Sequence, residues 1–267
     1  MSNTLRGTRR IATTAATIAG TIALAAAALL GTAHAASAST AGQHGIQLPG
    51  NPARSMKPGT ALLSSCTAGN DTSTCNQLAL TAISQARRSL EKMAGMTLSL
   101  AAYDRLTPAQ QLFAVVNLER TQRGLAPAAV LSRSLSRIAQ AAAQAGRDPA
   151  LGSIPRTMPG GGRTATEGSV WSGGWINPLG ADYAWMYDDG PGGANLDCTT
   201  SHQAGCWGHR DVILTRTTCP LAIGTGHATT AAGYRESDTV LITSTCGHTP
   251  TDATFTWTKA KHLLGIR

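Results

Sequence analysis

The 267-residue sequence has no Cys-x-x-Cys pair, no His-Glu-x-x-His and no Gly-x-Ser-x-Gly. The first absence argues against a cysteine zinc site, the second against a zinc metalloprotease helix, and the third against a serine-hydrolase elbow. Gly160–Gly162 and Gly224-Thr-Gly226 lack the strand-loop-helix setting and Lys-Ser/Thr ending of a phosphate loop. Ser89-Leu-Glu-Lys92 matches Ser-x-x-Lys, but no Ser-Asp-Asn or Lys-Thr-Gly follows, so it reads as a coincidence on a helix face. Charge is sparse as well, at 13% Asp, Glu, Lys and Arg. The net charge of +8 contains no Lys/Arg run, which removes support for nucleic-acid binding and leaves weak attraction to an anionic cell envelope.

What is present begins with an export signal. Arg6, Arg9 and Arg10 precede an Ala/Thr/Ile/Leu-rich run over 11–30, then Ala33-His-Ala35, the pattern of a secretory signal peptide cut after Ala35. A retained anchor is the competing reading, weakened by the threonines in the run. Thr8-Arg9-Arg10 is similar to a twin-arginine signal but too degenerate to choose a route. Removing the first 35 residues leaves 232 and lowers the net charge from +8 to +5, because three arginines and no acid go with them. All six cysteines follow the cut, so disulfides are expected. Sequence proximity favours Cys66–Cys75, Cys198–Cys206 and Cys219–Cys246.

Residues 36–62 mix Ala, Ser, Gly and Pro without periodicity and read as a flexible linker. Leu78, Ala82, Ile83, Ala86 and Leu90 recur at helical spacing between Cys75 and Met93. Thr107-Pro-Ala-Gln110 is a helix start, with threonine as cap, proline in the first turn and glutamine three residues on. That helix is expected to reach Gly124, with a second over 132–145. Residues 147–180, rich in glycine and proline, read as a long loop. A short helix over 181–186 and a turn at Asp188-Asp-Gly-Pro come next. The runs 221–228 and 239–246 predict an antiparallel pair that places Cys219 near Cys246, and Phe255 and Trp257 alternate as one more strand. Helices first and strands later make the chain α+β.

Three segments together resemble one family. Asn117-Leu-Glu-Arg120 with Arg123-Gly-Leu125 and Pro127 is similar to the first helix and turn of the CAP superfamily, the cysteine-rich secretory, antigen 5 and pathogenesis-related proteins. Thr166-Glu167-Gly168-Ser169 falls where that family has Gly-Glu-Asn. Trp185 followed by Cys206-Trp-Gly-His209-Arg-Asp-Val-Ile-Leu214 resembles its tryptophan helix and Gly-His signature. The resemblance covers about 105–247 and looks most like bacterial members. It implies an α-β-α sandwich with a cavity lined by two histidines and two acids, which in some members binds a divalent metal. Carried over, Glu167 matches the first acid, His209 the signature histidine and Asp188 the second acid. The other histidine has no match in 140–166.

The expected organisation is a signal peptide (1–35), a linker (36–62), a helical extension (63–104) and a CAP-like domain (105–267). Glu167, Asp188, His209 and Arg210 are the candidate cavity residues, and His209 with Glu167 the tentative ligands for weakly held zinc. Each has a plainer reading. His209 hydrogen-bonds into an element start, Glu167 caps an amide or is solvated, Asp188 forms a turn, and Arg210 makes a structural salt bridge. Trp171, Trp175, Trp185 and Trp207 read as core or cavity wall. His202 is the one substitute ligand nearby in sequence, in a loop expected to face solvent. The preferred reading is a secreted, monomeric binding protein without established turnover, meeting an extracellular ligand or envelope component. The alternatives are an extracellular hydrolase using Glu167 and His209, and an interaction protein with a vestigial cavity.

Overall fold

The computed structural model describes residues 50–67, 72–193, 206–229 and 235–266. Its centre is the expected strand pair, β3 (Leu221–Thr229) against β4 (Glu236–Cys246), antiparallel from Leu221 opposite Ser244 to Thr229 opposite Glu236. That register sets Cys219 and Cys246 4.9 Å apart at Cα, and they are bridged. Three further strands, β1 (Ala128–Ser132), β2 (Arg163–Gly173) and β5 (Ala253–Thr256), complete a sheet in the order β2-β4-β3-β1-β5. Only β1 with β3 is parallel, so the sheet is mixed and the class is α+β.

The 147–180 segment is not one long loop, because its second half is β2 on the sheet edge. Its glycines obscured the strand for a packing reason. A Cβ on Gly168 would come within 2.8 Å of Val212, so the position needs a residue without a side chain. The tail also differs from expectation. Phe255 is in β5, but Trp257 opens helix α8 (Trp257–Leu264), capped by the Thr256 side chain on Lys259 N–H.

Helices cover both faces of the sheet. On one face α5 (Arg133–Gln144) packs Leu135 and Ala139 against Val130, Ala222 and Leu241. It presses so closely that a Cβ on Gly224 would meet the Leu135 carbonyl carbon at 2.2 Å, and one on Gly226 that of Ala139 at 2.4 Å. On the other face lie α4 (Pro108–Thr121), α6 (Pro178–Tyr187) and α7 (Gly208–Ile213). Helix α4 starts as predicted, with a capping box between Thr107 and Gln110, and is buried on all sides from Gln111 to Arg120. Asn117 pins β1 through both backbone groups of Ala128, at 3.2 and 2.6 Å. Arg120 donates to the carbonyls of Ala126, Ile213 and Thr215. The Asn117-Leu-Glu-Arg120 motif thus ties α4 to its own turn and to the end of α7.

The helical extension is α1 (Thr60–Cys66), α2 (Thr72–Ala86), a π-helical turn (Arg87–Glu91) and α3 (Leu100–Tyr103). Cys66–Cys75 joins α1 to α2. Leu62, Ala79, Ile83 and Tyr103 belong to the same buried cluster as α4 and α6, so the extension is part of the main core. The end of the expected linker is ordered too. Met56 N–H donates to the Tyr187 carbonyl at 2.7 Å and Tyr183 Oη donates to the Met56 carbonyl at 2.6 Å. Among the described residues no helix is long and apolar enough to cross a membrane. Cys206 is disulfide-bonded, while Cys198 and His202 lie outside the described residues.

Candidate functional site

Helix α7 begins just after Trp207, a buried residue in the left-handed region at φ 64° that turns the chain inward. One carboxylate organises the start of this helix. Asp189, in the turn after α6, accepts the His209 backbone N–H at 3.0 Å on one oxygen and stands 3.3 Å from His209 Nδ1 with the other. Burial depresses the His209 pKa, but the hydrogen bond and charge of Asp189, with Asp148 beyond, raise it overall. The ring remains 34% exposed. Asp188 is the C-cap of α6 and is buried, which fits the turn-forming reading; its neighbour Asp189 is the acid that engages His209.

Glu167 is not brought to His209. In β2 it lies opposite Thr243, which lies opposite Ala222, a residue packed against Leu135 of α5. Side chains alternate along a strand, so Glu167 points toward the α5 face, whereas Gly168, the residue under Val212, faces α7. Partial burial raises the Glu167 pKa. With Glu167 turned away from His209, the two do not fit a shared metal. Among the described residues no group of three or more His, Cys, Asp or Glu is arranged to hold one.

Arg210 turns inward, as the salt-bridge reading expected. It donates to the Met186 carbonyl at 3.0 Å and to Glu91 on the π-helical turn, and lies over the rings of Tyr187 and Trp207. Glu91 also pairs with Arg123 at 2.5 Å, Arg123 with Glu119, and Glu119 with Arg87 at 2.7 Å. Tyr187 Oη accepts from Arg123 at 2.9 Å and Arg87 at 3.3 Å. All six side chains are almost fully buried. Burial alone would raise the Glu119 pKa, yet Arg123 and Arg87 hold it at about 2. Buried Asp182 beside it goes the other way, pushed well up by desolvation and by the Glu119 charge. One carboxylate is pulled down and its neighbour pushed up, a division set by which of them is paired with the arginines.

A second polar group went unread in the sequence. His227 on β3 lies opposite Asp238 on β4, with Nδ1 2.8 Å from the buried Oδ1. Glu236, two residues before Asp238 and on the same face, brings Oε2 to 3.9 Å from His227 Nε2. Gln140 of α5 holds the His227 backbone at both ends, at 2.8 and 3.1 Å. Burial lowers the His227 pKa but Asp238 and Glu236 raise it overall, and burial lifts Glu236 to about 7. The signal available in the sequence was the strand register, which extended by one residue pairs this histidine with an acid.

Two hollows open elsewhere, one of about 310 Å³ between α4 and α8 and one of about 250 Å³ beside Met93 and Gly95. Neither is lined by Glu167, Asp188 or His209. No family model matches the chain, and no curated protein matches it.

Proposed function

We propose that this chain is an exported, disulfide-stabilised domain of CAP type that acts as a binding module, its signature helix serving as an internal lock. The observation that carries the reading is how α7 uses its polar residues. Arg210 is spent on Glu91 and the Met186 carbonyl, and His209 on Asp189. Helices on both faces of a mixed sheet support the family resemblance, and the disulfides support an oxidising destination. A hydrolase built from Glu167 and His209 has less support, because the two project to opposite faces of β2. Zinc at His209 is expected to bind weakly, with Asp189 as the carboxylate beside it.

The test uses the full chain in an exporting bacterial host. The protein is expected in the medium, starting near residue 36 and lacking free thiols, and inactive on casein and peptidoglycan. Retention in the cytosol with reduced cysteines would overturn the export reading. Hydrolysis abolished by both Glu167→Gln and His209→Ala would replace the module with an enzyme.

A further inference from the structure

We propose a divalent metal site of the zinc class at the end of the β3–β4 ladder, with His227 Nε2 and Glu236 Oε2 as its protein ligands and water completing the shell. The imidazole is prepared for this by its other nitrogen. Asp238 is fully buried and accepts from Nδ1 at 2.8 Å, which fixes the tautomer with the lone pair on Nε2. A carboxylate behind a histidine is the usual support of a metal-bound imidazole, because it orients the ring and makes the ligating nitrogen more basic. The backbone beneath is equally fixed, since Gln140 clamps the His227 N–H and carbonyl, and the Glu236 carbonyl accepts Gly174 N–H at 2.8 Å.

The distance between the ligand atoms points to an ion between them. At 3.9 Å, Nε2 and Oε2 are too far apart for a hydrogen bond. Zinc bonds of about 2.1 Å at the tetrahedral angle separate two ligand atoms by roughly 3.4 Å, so a half-ångström shift of the Glu236 carboxylate seats the ion. Among the described residues, buried Glu236 Oε2 and Asp238 Oδ2 have no hydrogen-bond partner, an independent sign of unmatched polar capacity at this end of the ladder. Two acidic side chains flank the imidazole, one at each nitrogen, with Arg235 next to Glu236 opposing them in part. His227 and Glu236 are each 20% exposed, so the pair lies near the surface at the end of the ladder. A pair of first-shell side chains makes a modest site, and imidazole with carboxylate suits zinc, nickel or copper over calcium. The site is separate from His209 and stands without the CAP reading.

Calorimetric titration of chelator-treated protein with zinc chloride tests it. One saturable event, tighter than the weak binding at His209, is expected, weakened at least 10-fold by His227→Ala and by Glu236→Gln. Asp238→Asn is expected to weaken it about 10-fold or more, as loss of support behind a metal-bound histidine does. Glu236→Gln alters a partly exposed group and keeps the test open if His227→Ala folds poorly. A copper-loaded sample is expected to show coupling to one nitrogen in its electron paramagnetic resonance spectrum, lost in His227→Ala. No saturable binding, or binding unaffected by both His227→Ala and Glu236→Gln, would overturn the proposal.

Discussion

Asp182 and Glu119 are both fully buried acids, one on α6 and one on α4, and only Glu119 has arginines against it. Folding therefore favours neutral Asp182, whose native pKa lies well above its ordinary value of about 3.9. A raised folded pKa means that the contribution is fully present below about pH 4 and is lost as pH climbs through the native value. Asp182→Asn removes this titration and keeps a donor toward Glu119. The variant is expected to gain on the parent as pH rises above 4, by up to about 1.4 kcal/mol per unit, in urea unfolding from pH 3.5 to 8. A difference that stays flat with pH would show that Asp182 is ionised in the native protein. None of this was legible in the sequence. Asp182 sits in an apolar helix, and its upward shift comes first from burial and then from the charge of a partner 63 positions away that is itself held by arginines.

At the scale of elements, what could be read was what local chemistry decides. Thr107-Pro108-Ala-Gln110 carries its own capping bonds, and the helix begins at Pro108. Thr107→Ala is expected to cost about 1 kcal/mol by chemical denaturation, while Thr107→Ser, which keeps the capping hydroxyl, is expected to be close to neutral. Ser132 likewise caps α5, accepting the Leu135 N–H. The β3–β4 pair was legible from its two apolar runs, and its register was confirmed by the Cys219–Cys246 bridge. Strand β2 was not, because the glycine that lets Val212 pack on it is also a loop signal. The same limit applied to α7. Cys206-Trp-Gly-His209 was recognisable as a motif, yet that Arg210 turns inward to Glu91 is decided by tertiary packing.

For the whole molecule, each disulfide staples one part, the extension or the sheet, and the buried ion pairs of Arg87 and Glu91 join the extension to α4 and α7. Cys66–Cys75 closes a loop of nine positions in the extension and Cys219–Cys246 one of 27 in the sheet. Chain entropy gives the longer loop roughly 3 kcal/mol and the shorter one less. Paired Cys219→Ser and Cys246→Ser are therefore expected to lower the midpoint of unfolding more than paired Cys66→Ser and Cys75→Ser, measured without reductant. The reverse order would show that the extension depends on its bridge more than the sheet does. The three sequence segments that carry the resemblance fall on α4, β2, and α6 with α7. How α7 is joined to the π-helical turn at Arg87–Glu91 was outside their reach, and that junction is the central claim.

The most direct test is a double-mutant cycle between Glu91 and Arg210, using Glu91→Gln, Arg210→Met and the pair in equilibrium urea unfolding. If the signature helix is an internal lock, Glu91→Gln leaves Arg210 buried without its carboxylate partner and costs about 3–5 kcal/mol, while Arg210→Met leaves Glu91 with Arg123 and costs less. The double variant is then expected to cost much less than the sum, with a coupling of about 2 kcal/mol or more. Costs that add to within about 0.5 kcal/mol would show that Glu91 and Arg210 act independently, and would contradict the lock.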